Sequence, residues 1–206
     1  MAIPSIRKQA QQPTPLPSSY KLEKQTESAQ PAVSVCDLKA QVSLDDSSYD
    51  GLLEAFELAA RDTVETLTGR VLTETTYTLY LDNFPDAEFY FPNGPVSSIE
   101  SIEYLVDGVW TEADNSIYLM GRGTLHTQRI VKIVGQSWPS DKDNQPESVR
   151  INYTAGEVNN RGNQVIKLLV GHWFENREAV ITGTISSELP LAVQTLVRSL
   201  KTYAVR

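Results

Sequence analysis

The chain has 206 residues, 40% hydrophobic and 21% charged, with a formal net charge of −8. No apolar run reaches the roughly 20 residues a membrane-crossing helix needs, and the negative balance argues against indiscriminate nucleic-acid binding, which works by neutralising phosphates with Lys and Arg. A lone Cys36 rules out a disulfide within the chain and fits a reducing compartment, while the first residues carry positive charge with no apolar stretch behind it and do not read as a secretory signal.

Residues 1–33 hold five prolines, many Gln and Ser, and almost no apolar periodicity. Such a segment cannot bury enough apolar surface to form a core of its own, so it reads as an extended arm. Residues 34–206 then form a single domain. A short helix is expected over Cys36–Gln41, followed by a long one opening at Ser47, where Ser47 and Asp50 make a capping-box-like pair. Within the long helix Tyr49, Leu52, Leu53, Phe56, Ala60, Val64 and Leu67 recur at three- and four-residue steps. That spacing sets an apolar stripe opposite Glu54, Glu57, Arg61 and Glu65, and Gly69 ends the helix.

From Thr73 the period changes to two, and TETTYTLYLD reads as a strand. AEFYF follows as another, and SIESIEYL and VWTE flank Asp107-Gly108, a pair suited to a two-residue hairpin turn. Short strands are expected near Ser116–Met120, Arg129–Val134 and Ser148–Tyr153. Helix returns from about Gln164 to about Val180, and a last helix carries Pro190 in its first turn and Val193, Leu196, Val197, Leu200 and Tyr203 on one side. The predicted class is α+β: an extended N-terminal arm, a long N-terminal helix, a small antiparallel β-sheet region in the middle and two C-terminal helices.

The stretch GHWFENREA at 171–179 is the densest in reactive side chains. Projected on a helix, Val165, Ile166, Leu169, Trp173 and Val180 share the apolar face, His172 and Asn176 fall at its margin, and Glu175 and Glu178 point away. The histidine and the carboxylates therefore diverge, which argues for a packing role for His172 over catalysis. Zinc would need ligands that His126 and Cys36 cannot complete, and no Walker pattern surrounds Gly121-Arg122-Gly123. No Gly-x-Ser-x-Gly elbow occurs, and Asp141-Lys142-Asp143-Asn144 lacks the glycine and glutamate of a calcium loop. Asn176 and Arg177 suit bonds from a helix end to loop carbonyls and carboxylates.

Charge is unevenly spread. Residues 161–206 hold six basic against three acidic groups, whereas residues 34–160 hold eight against twenty-one. A chain polarised in this way is suited to lie against copies of itself or to turn its basic end toward an acidic partner.

Several stretches together resemble the head-tail connector, or adaptor, proteins of tailed bacteriophages and prophages. They are DLKAQVSLDDSSYDGLLEAFELAARDTVETLTGR at 37–70, TYTLYLDNFP at 76–85, FPNGPVSSIESIEYL at 91–105, GQSWP at 135–139, VRINYTAG at 149–156, and LLVGHWFENREAV followed by LPLAVQTLV. The resemblance runs from about residue 34 to the C-terminus; no single motif carries it, but their order and spacing do. It implies a structural virion protein with no enzymatic activity, cofactor or metal. The implied assembly is a homo-oligomeric ring of twelve copies beneath the portal protein, which continues the DNA channel without sequence-specific binding and docks the next tail or stopper component. The implied location is the head-tail interface of the virion, with the bacterial host cytoplasm as the site of assembly.

On that reading His172, Trp173, Asn176 and Arg177 are packing or assembly residues. The basic end at Arg198, Lys201 and Arg206 meets the portal or approaches DNA, and the arm clamps a neighbouring copy or the capsid. Two features depart from the family pattern: the Pro-rich arm itself, and NNRGNQ where a proline often precedes the helix. The neighbouring alternative is a tail-completion or stopper protein. From other classes come a DNA-packaging or DNA-binding factor, against which the acidic charge speaks, and a small hydrolase, which would need a histidine and a carboxylate in one cleft.

Overall fold

The computed structural model describes residues 20–85, 88–122, 128–176 and 190–201. Its first element is a strand, β1 (Tyr20–Glu27), followed by helices α1 (Val35–Val42) and α2 (Asp50–Thr68). Seven strands come next: β2 (Thr75–Leu81), β3 (Glu88–Tyr90), β4 (Val96–Val106), β5 (Val109–Glu112), β6 (Tyr118–Arg122), β7 (Gln128–Lys132) and β8 (Val149–Ala155). Helices α3 (Asn160–Glu175) and α4 (Leu191–Leu200) end the described chain.

This order overturns the expected fold class on two points. There is no long N-terminal helix: the 19-residue α2 comes third, after a strand and a short helix. Nor is the middle one small sheet, since the strands form a five-stranded antiparallel sheet in the order β1-β2-β8-β4-β5 and a three-stranded one in the order β3-β7-β6. The edge strand β1 comes from the segment read as an arm. Its sequence YKLEKQTE is charged and poor in β-branched residues, so local propensity conceals it. What makes it a strand is the partner: Leu22 pairs with Leu79 and joins the sheet core, while Lys21 and Glu23 face outward beside Tyr80 and Thr78. Charged side chains on an edge also discourage unwanted pairing.

The two sheets share one core. Tyr77 and Leu79 of β2, Ile102 of β4, and Ile151 and Tyr153 of β8 meet Phe89 of β3 and Ile130 of β7 in a single buried cluster. Tyr153 stacks on Tyr77 at 5.4 Å between centroids and lies 4.5 Å from Phe91. Burial and the neighbouring Glu65 push the Tyr77 hydroxyl up to about 12. The expected hairpin forms: Asp107 and Gly108 take φ of 48° and 76°, the left-handed pair that matches strand twist. Asp143 accepts from both turn amides at 3.0 and 2.9 Å.

The helices make a second core, in which Leu38 (α1), Leu53, Ala60 and Val64 (α2), Val165, Ile166, Leu169 and Val170 (α3), and Val193 and Val197 (α4) are buried together. Helix α1 starts at Ser34, whose hydroxyl accepts from the Asp37 amide at 3.2 Å and donates to the Asp37 carboxylate at 2.9 Å. The Ser47 capping pair does not form. Helix α2 begins at Asp50 with no side-chain cap, and Asp50 pairs with Lys39 of α1 at 2.9 Å.

Helix α3 begins four residues earlier than its periodicity suggests, because Asn159 caps the amides of Arg161 and Gly162 at 3.0 and 3.1 Å. Gly162 then faces Leu72 so closely that a Cβ would lie 2.7 Å from its Cδ2. Pro190 is the residue before α4, just outside the first turn.

Candidate assembly surface

The outward side of α2 is where sequence and structure part most. Glu54, Glu57, Arg61 and Glu65 share the polar side of the helical projection, yet Glu57 and Arg61 are buried and Glu65 is half-buried. They form the seam between the helices and the sheet. One Glu57 oxygen accepts from the amides of Ala32 and Val33 at 2.9 and 3.4 Å, fixing the link between β1 and α1. Arg61 reaches Glu27 of β1 at 3.0 Å, Thr73 at 3.1 Å and, more loosely, Glu57 at 3.9 Å. Glu65 accepts from the Leu72 amide at 2.7 Å, and burial raises its carboxyl above the ordinary value. A buried charge persists only when paired or hydrogen-bonded, and each of these is. The one signal in the sequence was the i, i+4 spacing of Glu57 and Arg61, which suits an ion pair on one helix face.

Helix α3 is fastened from three sides. Trp173 meets Phe56 edge-on at 6.0 Å, and Phe174 meets Tyr49 edge-on at 5.6 Å, so consecutive aromatics grip α2. Lys167 pairs with Asp37 of α1 at 3.3 Å; the Ser34 hydroxyl first, then Lys167, hold the Asp37 carboxyl below its usual range. Asn176 caps the helix: its side-chain amide donates to the His172 carbonyl at 2.9 Å and lies 3.4 Å from the His172 ring. Among the described residues, therefore, these contacts hold protein to protein. Among the described residues no group of three or more His, Cys, Asp and Glu is placed to hold a metal ion, and no helix is long and apolar enough to cross a membrane.

The remaining site residues lie apart from this grip. Arg198 and Lys201 are exposed at the C-terminal end of α4, whose final carbonyl, that of Leu200, accepts from the buried Arg70 at 3.1 Å. Arg177 and Arg206, like His126, Tyr203 and Val180, lie outside the described residues.

Two outward surfaces contrast. On the five-stranded sheet one row across the strands reads Lys21, Tyr80, Arg150, Glu103, Glu112. Two pairs within it are tied, Arg150 donating to Glu103 at 2.9 Å and Lys21 lying 5.5 Å over the Tyr80 ring, while Arg150 also lies 4.3 Å over the neighbouring Trp110 ring and Lys21 pairs with Glu23 at 2.8 Å. Asn152 links Thr78, Ser101 and Glu103. The helical layer instead presents Gly51, Glu54, Ala55, Leu58, Ala59, Asp62 and Thr66 of α2 to solvent, and Leu191, Ala192, Thr195, Arg198 and Ser199 of α4. Leu58 is 55% and Leu191 81% exposed.

No protein family matches the chain, and no curated protein does. Solved structures match well in shape. One is a chain from the neck of an empty gene transfer agent (GTA) particle computed with C6 symmetry, 18% identical with a TM-score of 0.72. A second is from the virion of a native gene transfer agent particle, 19% identical with a TM-score of 0.72. A third is from the neck of a native GTA particle computed with C12 symmetry, 18% identical with a TM-score of 0.68. Each match covers 90% of this chain and 97% of the other. At such identities the likeness is one of fold.

Proposed function

We propose that this chain is a structural subunit of the neck joining head and tail in a phage-like particle, an adaptor that assembles as a ring beneath the portal, continues the DNA channel and docks the next tail component. One observation carries the reading: a fold likeness over 90% of the chain to neck and virion chains of gene transfer agent particles, two of them in necks computed with C6 or C12 symmetry. The chemistry supports it. Side chains that might have been catalytic are spent on fastening helices together, and an acidic subunit suits a conduit along which DNA must slide without being held. His172, Trp173, Asn176 and Arg177 are then packing residues, while Arg198, Lys201 and Arg206 form a basic face toward an acidic neighbour in the assembly.

Removing the chain from an assembling particle should leave heads and tails unjoined; a normal yield of joined particles would contradict the proposal. The arm has its own test. Deleting residues 2–19 spares β1, so the domain should keep its melting temperature while particle completion falls. Unimpaired completion would remove the arm from the assembly.

A further inference from the structure

The exposed faces of α2 and α4 carry charges of opposite sign. Among the described residues no ion pair uses Glu54, Asp62 or Arg198, whereas Lys21, Lys24, Lys39, Arg61, Arg150 and Lys167 all have carboxylate partners. Glu54 and Asp62 lie one helical turn on either side of the exposed Leu58, about 6 Å away along the axis. Beside Leu58 runs a groove of about 270 Å³ walled by Pro31, Val33 and Val35, with the paired Glu57 and Arg61 also lining it. Its lining mixes Ala29, Pro31, Val33, Val35 and Leu58 with Ser28, Gln30 and charged groups, and of these charges Glu54 is acidic and has no ion pair among the described residues. The exposed face of α4 has the converse character: an apolar knob, Leu191, and a cation, Arg198, seven residues or about 10.5 Å further on. An arginine side chain spans the remaining few ångströms to Asp62 or to Glu54, whichever way the two helices run.

Resting on the ring reading above, we infer that the groove beside Leu58 on α2 receives the exposed face of α4 from a second copy of this chain, with Leu191 seated in the groove and Arg198 paired to Glu54 or Asp62. The two surfaces differ and each faces away from the shared helical core. Pairing unlike surfaces propagates from copy to copy and closes into a ring when the rotation permits.

The test uses the full chain with Cys36→Ser, carrying Ala55→Cys and Ala192→Cys together so that Leu58 and Leu191 are kept, treated with a short bis-maleimide and followed by gel under denaturing conditions and by mass photometry. The expected result is a ladder of three or more linked copies. Arg198→Glu should lower its yield by roughly tenfold, and adding Glu54→Lys with Asp62→Lys to Arg198→Glu should restore it. All these positions are exposed, and an unchanged melting temperature verifies that each variant is folded. Self-association without linked copies overturns the contact and leaves the ring standing, whereas a product that stops at two copies overturns its head-to-tail sense. A ladder indifferent to Arg198→Glu overturns the charge pairing. A chain that stays monomeric at millimolar concentration overturns the contact, and the ring itself then stands or falls with the particle-joining experiment.

Discussion

The sheets and the helical layer solve the same packing problem with different chemistry. In the sheets, aromatic and β-branched side chains fill one core, and on the outer face Arg150, Asn152 and Glu103 bond to one another while Tyr20, Val109, Leu119 and Met120 stay exposed. In the helical layer the apolar core is joined to the sheet by buried charge, and the outer faces of α2 and α4 keep unpaired charges beside exposed leucines. A surface that satisfies its own polar groups has little to gain from a partner; one that does not gains by docking. On the reading proposed above, the sheets are the scaffold and α2 and α4 the side that assembles.

The largest effect should come from the sheet core. Tyr153 is fully buried between Tyr77 and Phe91, so Tyr153→Ala should cost about 4 kcal/mol, read as a loss of denaturant midpoint. Next comes the seam. Arg61→Ala removes the cation between Glu27 and Glu57, leaving Glu27 with Lys24 and Glu57 with the Ala32 and Val33 amides, at about 2 kcal/mol. Hydrogen exchange should rise in β1 and the 28–35 link while β8 stays protected; equal loss of protection in both would break the division into two regions.

Smaller changes sharpen the contrast. Asn159→Ala removes the cap of α3 and should cost about 1 kcal/mol in thermal unfolding. Tyr153→Phe has the opposite sign: the buried hydroxyl has no hydrogen-bond partner, so its removal should stabilise by about 1 kcal/mol.

Glu65→Gln should have the smallest effect. Burial raises the folded-state value of Glu65 above its ordinary 4.5, so the stability linked to its protonation is fully present below that value and is lost as pH rises through the folded one. The amide retains an oxygen for the Leu72 amide without the buried charge. The variant should therefore melt slightly above the parent at neutral pH, with the gap closing in acid.

What the sequence disclosed follows from how local each signal is. The apolar stripe of α2, the alternation of β2 and the Asp107-Gly108 turn are written in neighbouring residues and were legible. The strand β1 was not, because Lys, Glu and Gln become a strand only when β2 supplies a partner. Glu57 and Arg61 read as solvent-facing because a helical projection cannot know that β1 and residues 28–35 cover that side. The start of α3 depended on a single cap, Asn159, ahead of a glycine-bearing turn that looked like loop. For the candidate surface, the projection puts Trp173 on the apolar face of its helix, but Leu58 and Leu191 were not singled out, since exposure is a property of the assembled fold.

The most direct measurement is an image reconstruction of the joined particle in which this chain carries a recognisable tag. The account predicts a closed ring of this chain in the neck, next to the portal, whose neighbouring copies meet through α2 and α4 with the five-stranded sheet's polar face left free. A neck without this chain, or a ring whose copies meet sheet to sheet, would contradict it.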